Sequence, residues 1–194
     1  MLEKVTIPEG QIGPWKIQRF EISNFEATLF SIKAMHSPLK RGRILPGTYT
    51  KLVHDRRGIV MSDTPDEMLD HVEFVRHATG HVMIAGLGIG MVLRAVLAKP
   101  DVTRVTVVEM DADVIKLVSP HYQNDRITII HSSIFDFKVP KGTRYDAVWL
   151  DIWDTVGGDN LPEMTKLKRR FSRHTNWLGC WAERDCKLAK KREL

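Results

Sequence analysis

Cysteine is scarce. The 194-residue chain holds two, Cys180 and Cys186, six apart and without the paired spacing of a zinc or redox motif. Such thiols read as free residues of a reducing compartment, so the cytoplasm is the expected location and no metal site is expected. No apolar run approaches the about 18 residues that span a bilayer, so no membrane partner is expected. The opening stretch, MLEKVTIPEGQIGPW, lacks the apolar core of a signal peptide. Internal repeats and low-complexity tracts are absent too. Together these absences exclude a disulfide scaffold, a helical membrane protein and a solenoid.

What is present is the composition of a soluble globular chain: 43% hydrophobic and 27% charged residues, enough apolar side chains to bury a core at this length. The pattern divides in two. Residues 1–62 read as a β-rich appendage, with alternating apolar and polar positions in WKIQRFEIS and in ATLFSIKAM, and Asn24 near the turn between them. HSPLKRGRILPGT reads as a loop, and YTKLVHD with GIVMSD as a second hairpin. A helix is expected after Thr64 as N-cap, with Pro65, Asp66 and Glu67 in its first turn and Gly80 as terminator. Residues 63–194 then alternate strand and helix, which predicts a doubly wound, mostly parallel α/β sheet of the Rossmann-like type. Strands are expected over 81–87, 104–110, 127–132, 145–151 and, more weakly, 177–182.

The first of these strands runs into VMIAGLGIG, where Gly86, Gly88 and Gly90 stand at every second position. A strand-to-helix turn of this kind lets backbone approach a ligand closely and offers free N–H groups from the helix start. Glu109 ends the next strand, 19 residues beyond Gly90, where such folds place an acid that accepts from ribose hydroxyls. NAD and S-adenosylmethionine (SAM) both carry that ribose. A dinucleotide G-x-G-x-x-G would need glycine at position 91 or 93, which are Met91 and Leu93. The G-x-G-x-G spacing is the commoner one at SAM sites.

YDAVWLDIWDT places Asp151 and Asp154 at the exit of a further strand. Two carboxylates three residues apart can turn into one pocket, where their mutual repulsion raises one pKa and creates a candidate base. They can equally pair with a cationic amine or a sulfonium. Trp149 and Trp153 share the face of Asp151, the former expected in the core and the latter open to either role. From Leu161 onward ten Lys and Arg stand against four acids, within a formal net charge of +5. That segment is either a surface for a polyanion or nucleic acid, or the solvated faces of two terminal helices.

Residues 58–154 resemble the spermidine synthase branch of the class I SAM-dependent transferases. The resemblance lies in GIVMSDTPDEM, in VMIAGLGIGMVLRAVLAKPDVTRVTVVEMDADVI, in FDF and in YDAVWLDIWD. It implies a SAM-type fold with Glu109 on ribose and with Asp151 and Asp154 in a catalytic acidic loop. Several positions depart from that pattern. The glycine-loop aspartate is Gly88 or Ile89, the glutamine before the D-E pair is Met61, and the tyrosine after it is Asp70. The adenine-side aspartate is Ser132 or Ser133, the proline after the second acidic-loop aspartate is Thr155, and the closing antiparallel hairpin does not follow the fifth strand. The exposed sheet edge this leaves favours a homo-oligomer. The expectation is therefore a SAM-dependent transferase, methyltransferase-like, acting on a small-molecule acceptor. An aminopropyltransferase, and a non-catalytic protein that binds a nucleoside or nucleic acid, are the rival readings.

Overall fold

A computed structural model describes residues 2–36 and 44–192. Two sheets organise it. The first is antiparallel, in the order β1 (Gly10–Ile12), β2 (Trp15–Ile22), β3 (Gly47–His54), β4 (Gly58–Ser62). The second is parallel, in the order β7 (Ile127–His131), β6 (Val102–Glu109), β5 (Gly80–Ala85), β8 (Tyr145–Leu150), β9 (Thr175–Cys180). The helices are α1 (Asn24–His36), α2 (Pro65–His77), α3 (Met91–Leu97), α4 (Ala112–Val118), α5 (Leu161–Phe171) and α6 (Glu183–Lys190). The doubly wound α/β architecture with an antiparallel N-terminal sheet is as the sequence predicts, and the change of sheet falls between Ser62 and Pro65.

Alternation along β5 shows why both faces must be covered. Val82 and Ile84 pack into one apolar cluster with Phe74 of α2 and Val92 of α3. Met83 and Ala85 pack into another with Met164, Leu167 and Phe171 of α5. Strand residues i and i+2 share a face, so a run of apolar residues without polar breaks is buried on both sides. The winding reverses between β5 and β8, which leaves a crevice at the carboxyl ends of the strands.

The two sheets share buried residues. Val5, Ile7, Trp15, Ile17, Leu52 and Met61 belong to the same buried cluster as the β5 and β6 side chains. Asp63, fully buried, ties the junction: its carboxylate accepts from the Val5 N–H at 2.9 Å and from the Thr50 N–H at 2.6 Å.

Three local expectations are corrected. ATLFSIKAM is helix α1 and not a strand. Ser23 and Glu26 form a reciprocal cap, with Glu26 Oε2 accepting from Ser23 N at 2.8 Å and Ser23 Oγ accepting from Glu26 N at 3.2 Å. This local start signal overrides an apolar pattern that satisfies both periods. Gly80 opens β5, while α2 already ends at His77. Thr64 stands at the N-cap of α2, yet its hydroxyl meets Ser62 Oγ at 3.1 Å, and Glu67 reaches back to the Ser62 N–H at 2.7 Å. Of the expected loop over 36–48, residues 37–43 lie outside the described residues.

Asp63→Ala orphans two buried N–H donors, each worth about 1–3 kcal/mol. The expected loss of stability is about 2–6 kcal/mol, read from urea denaturation, with the conservative Asp63→Asn retaining part of it.

Candidate active site

Four strands of the parallel sheet end on one side of the molecule, and residues at or just after each end line a cavity of about 250 Å³. Gly86 follows β5, Glu109 ends β6, Ser132 and Ser133 follow β7, and Asp151 follows β8. All five line the cavity, with Gly88 and Asp154. Gly90 does not. It starts α3 at φ 75°, and a Cβ there would stand 2.2 Å from the Tyr122 ring, whose hydroxyl donates to the Ile89 carbonyl at 2.7 Å. Its glycine serves a helix start packed under an aromatic ring, behind the site.

Gly86 is glycine for a different reason. At φ 97° a Cβ would stand 2.1 Å from the Asp151 carbonyl oxygen. The loop after β5 thus lies directly against the main chain that carries Asp151, and any side chain would push the two strand ends apart.

Glu109 is buried and bonded at both oxygens. Oε2 accepts from the Leu87 N–H and Oε1 from the Asp111 N–H, each at 2.8 Å. Burial holds its carboxyl above the usual glutamate range, while the backbone N–H groups of Leu87, Asp111 and Met110 pull it back down and the Asp111 charge adds to the rise. A carboxylate offers about four lone-pair sites, so acceptor capacity toward the cavity remains after these backbone N–H groups. On the adjacent strand end, where the Ser132 N–H donates to the Glu109 carbonyl at 2.9 Å, Ser133 Oγ accepts from the Phe135 N–H at 3.2 Å and Ser132 Oγ donates to the Ser133 carbonyl at 3.1 Å.

Asp151 keeps 17% of its side chain open. Its pKa is pushed up to about 8, first by burial, then by the charges of Glu67 and Asp70 and, least of the raising influences, by Asp154; the Trp149 indole pulls it down. The expected mutual repulsion of Asp151 and Asp154 is thus the minor cause. His71 Nδ1 stands 3.8 Å from Asp151 Oδ2, on a side chain 1% exposed. Asp154 is engaged elsewhere: Arg57 Nε donates to its Oδ2 at 2.7 Å, and Arg57 Nη2 donates to the same oxygen.

Several lining residues carry no local signal in the sequence. Trp15 and Arg57 arrive from the antiparallel sheet. The Trp15 indole donates to Asp111 Oδ2 at 2.7 Å, and the Arg57 guanidinium lies 5.3 Å from its ring centroid. His71 carries no such signal either, whereas Glu67 belongs to the D-E pair of GIVMSDTPDEM. Trp149 packs in the core against Phe74, ring centroids 5.6 Å apart, and Trp153 lines the cavity with its indole donating to Glu163 at 3.0 Å. The basic C-terminal residues divide. Lys168 and Lys187 pair with Glu183, while Lys166, Arg169, Arg170, Arg173 and His174 line a groove along α5 and the turn that follows it. Among the described residues no helix is long and apolar enough to cross a membrane, and no group of three or more His, Cys, Asp or Glu is arranged to hold a metal ion.

A profile of the spermine/spermidine synthase domain matches residues 63–176, more than half of the chain. The chain belongs to that family. Curated relatives include the polyamine aminopropyltransferases of Salmonella arizonae, 29% identical over 119 residues (54% of this chain, 42% of the relative), and of Buchnera aphidicola, 30% identical over 105 residues (49% and 37%). The match therefore spans less than half the length of these relatives. Similar solved structures include the CcbJ methyltransferase from Streptomyces caelestis, at 17% identity and a TM-score of 0.42, covering 55% of this chain and 44% of that one. The plantazolicin methyltransferase BpumL in complex with SAH is similar at 14% identity and a TM-score of 0.41, covering 56% and 39%.

Because the folded state holds the Asp151 pKa above its unfolded value, the stability it contributes is fully present below about pH 4 and is lost as pH rises toward 8. Melting temperatures measured from pH 4 to pH 9 should fall across that window in the wild type. Asp151→Asn should flatten the profile; an unchanged slope in the variant would remove Asp151 as its source.

Proposed function

We propose that this chain is an alkyl transferase of the SAM-dependent class, methyltransferase-like, that acts on a small-molecule acceptor. The observation that carries the reading is the meeting of Gly86, Gly88, Glu109, Ser132, Ser133 and Asp151 in one cavity at the winding reversal of the sheet. The residues fit the group. Gly86 and Gly88 bring loop backbone to the cavity, Glu109 retains acceptor capacity for a ribose diol, and the Ser132 and Ser133 hydroxyls stand beside apolar Ile134 and Phe135 on the wall suited to a base. An S-adenosyl sulfonium, when bound, supplies an electrophilic carbon that already bears a good leaving group.

The chain's own work is then positioning and removal of one proton. Asp151 is the proton acceptor in this reading. Its raised pKa brings it near the range where a base is both available and strong enough. Trp153 after β8, Trp181 after β9 and Trp15 from the other sheet add aromatic surface to the lining.

A second reading, aminopropyl transfer, is favoured by one observation. Six acids line the cavity (Glu67, Glu109, Asp111, Asp151, Asp154 and Glu163), and Arg57 is the single Lys or Arg among the described lining residues. A polycationic substrate suits such a surface. Calorimetric titration with SAM, decarboxylated SAM and NAD separates the readings. Binding of SAM and no response to NAD is the expected result, and preference for decarboxylated SAM would favour aminopropyl transfer. Glu109→Ala should weaken cofactor binding about 10- to 100-fold, the equivalent of one lost charge-assisted hydrogen bond. Asp151→Asn should spare binding and depress turnover, and equal loss of both would count against its role as the base.

A further inference from the structure

Among the described lining residues one Lys or Arg, Arg57, stands with six acids, and it comes from the appended sheet. Arg57 sits at the end of the turn between β3 and β4, with its guanidinium over Trp15 and both Nε and Nη2 turned to Asp154 Oδ2. Asp154 lies on the loop after β8, so this ion pair joins the two sheets across the cavity wall. Both members remain partly open, with 44% of the Arg57 side chain and 29% of the Asp154 side chain exposed. The Trp15 indole is itself fixed by its bond to Asp111, so the guanidinium rests on an anchored ring.

We propose that Arg57 is a carboxylate subsite of the cavity, so that the chain takes a ligand with an α-amino-carboxylate end in preference to its decarboxylated, purely cationic counterpart. The inference rests on the cofactor reading above. Two physical effects act together. A guanidinium fork is the side chain best matched to a carboxylate, and a ligand carboxylate takes the place of Asp154 in a pair that is already solvent-accessible and exchangeable. With no such ligand, Arg57 neutralises Asp154, so an incoming ammonium group meets one acid fewer and a like charge beside it. Trp15, itself anchored by Asp111, supports the guanidinium when Asp154 is displaced, and the remaining acids leave the rest of the cavity suited to a sulfonium and an ammonium.

The test is calorimetric. SAM and decarboxylated SAM differ by the one carboxylate in question, and each is titrated into the wild type, Arg57→Gln and Asp154→Asn, with melting temperatures as a control on folding. The pair's exposure puts the effect at the lower end of a charge-assisted bond, about tenfold. The wild type should prefer SAM. Arg57→Gln should cut the SAM-to-decarboxylated-SAM affinity ratio about tenfold, by weakening the first and strengthening the second, and Asp154→Asn should widen it by freeing Arg57. Retention of the wild-type ratio by a folded Arg57→Gln protein overturns the subsite and leaves the cofactor reading intact. Absence of binding by either ligand to the wild type overturns both. Should Arg57→Gln fail to fold, Asp154→Asn decides: a widened ratio supports the subsite and an unchanged one overturns it.

Discussion

A carboxylate almost out of reach of water sets the geometry of this cavity. Glu109 ends β6 and receives N–H groups from both sides, from Leu87 in the glycine loop and from Asp111 at the start of α4. Leaving those donors unpaired would cost about 1–3 kcal/mol each, so the loop after β5 and the turn after β6 are held as one unit. Everything else at the strand ends builds from that unit. Gly86 then approaches the Asp151 main chain closer than any other residue allows, and the Asp111 side chain caps α4 through the Asp113 N–H while its other oxygen receives the Trp15 indole.

The second sheet completes the site. Its buried residues share the core of the parallel sheet, and Asp63 fixes the point where the chain passes from one to the other. Glu67, in the first turn of α2, bonds to Ser62 at the end of β4, so the orientation of a helix on the parallel sheet is set by a residue of the antiparallel one. Glu67 is also the largest charge influence on Asp151. The electrostatics of the candidate base are therefore decided by the packing of the two sheets, and they would change if the sheets shifted.

This division explains what could be read in the sequence. The strand-loop-strand order of VMIAGLGIG and RVTVVEM is local chemistry: glycine where φ is positive, acid where β6 ends, apolar runs where both faces are covered. These signals point to Gly86, Gly88 and Glu109, the strand-exit acids of YDAVWLDIWDT add Asp151 and Asp154, and Ser132 and Ser133 follow only from the family resemblance; all seven line one cavity. Gly90 carried the same local signal and serves packing under Tyr122, because the spacing of glycines says nothing of the ring 32 residues away. ATLFSIKAM misled for a related reason. Its apolar residues fit both a two-residue and a helical period, and the decisive cap lies outside it, at Ser23. Trp15, Arg57 and His71 were invisible because their neighbours across the cavity are 80 to 97 positions away in sequence.

The partnership of Arg57 with Asp154 and the raised pKa of Asp151 are two faces of one charge problem. Six acids around a small cavity cannot all stay ionised without countercharge, since each added charge raises the cost of the next. The structure answers in three ways. Backbone N–H groups satisfy Glu109, an arginine from the other sheet neutralises Asp154, and burial with neighbouring acids favours the protonated form of Asp151. A cation brought beside Asp151 lowers its pKa again, so ligand entry and release of that proton are thermodynamically linked. On the proposed reading a positively charged ligand readies Asp151 as the base, and without that ligand burial beside Trp149 favours its protonated form.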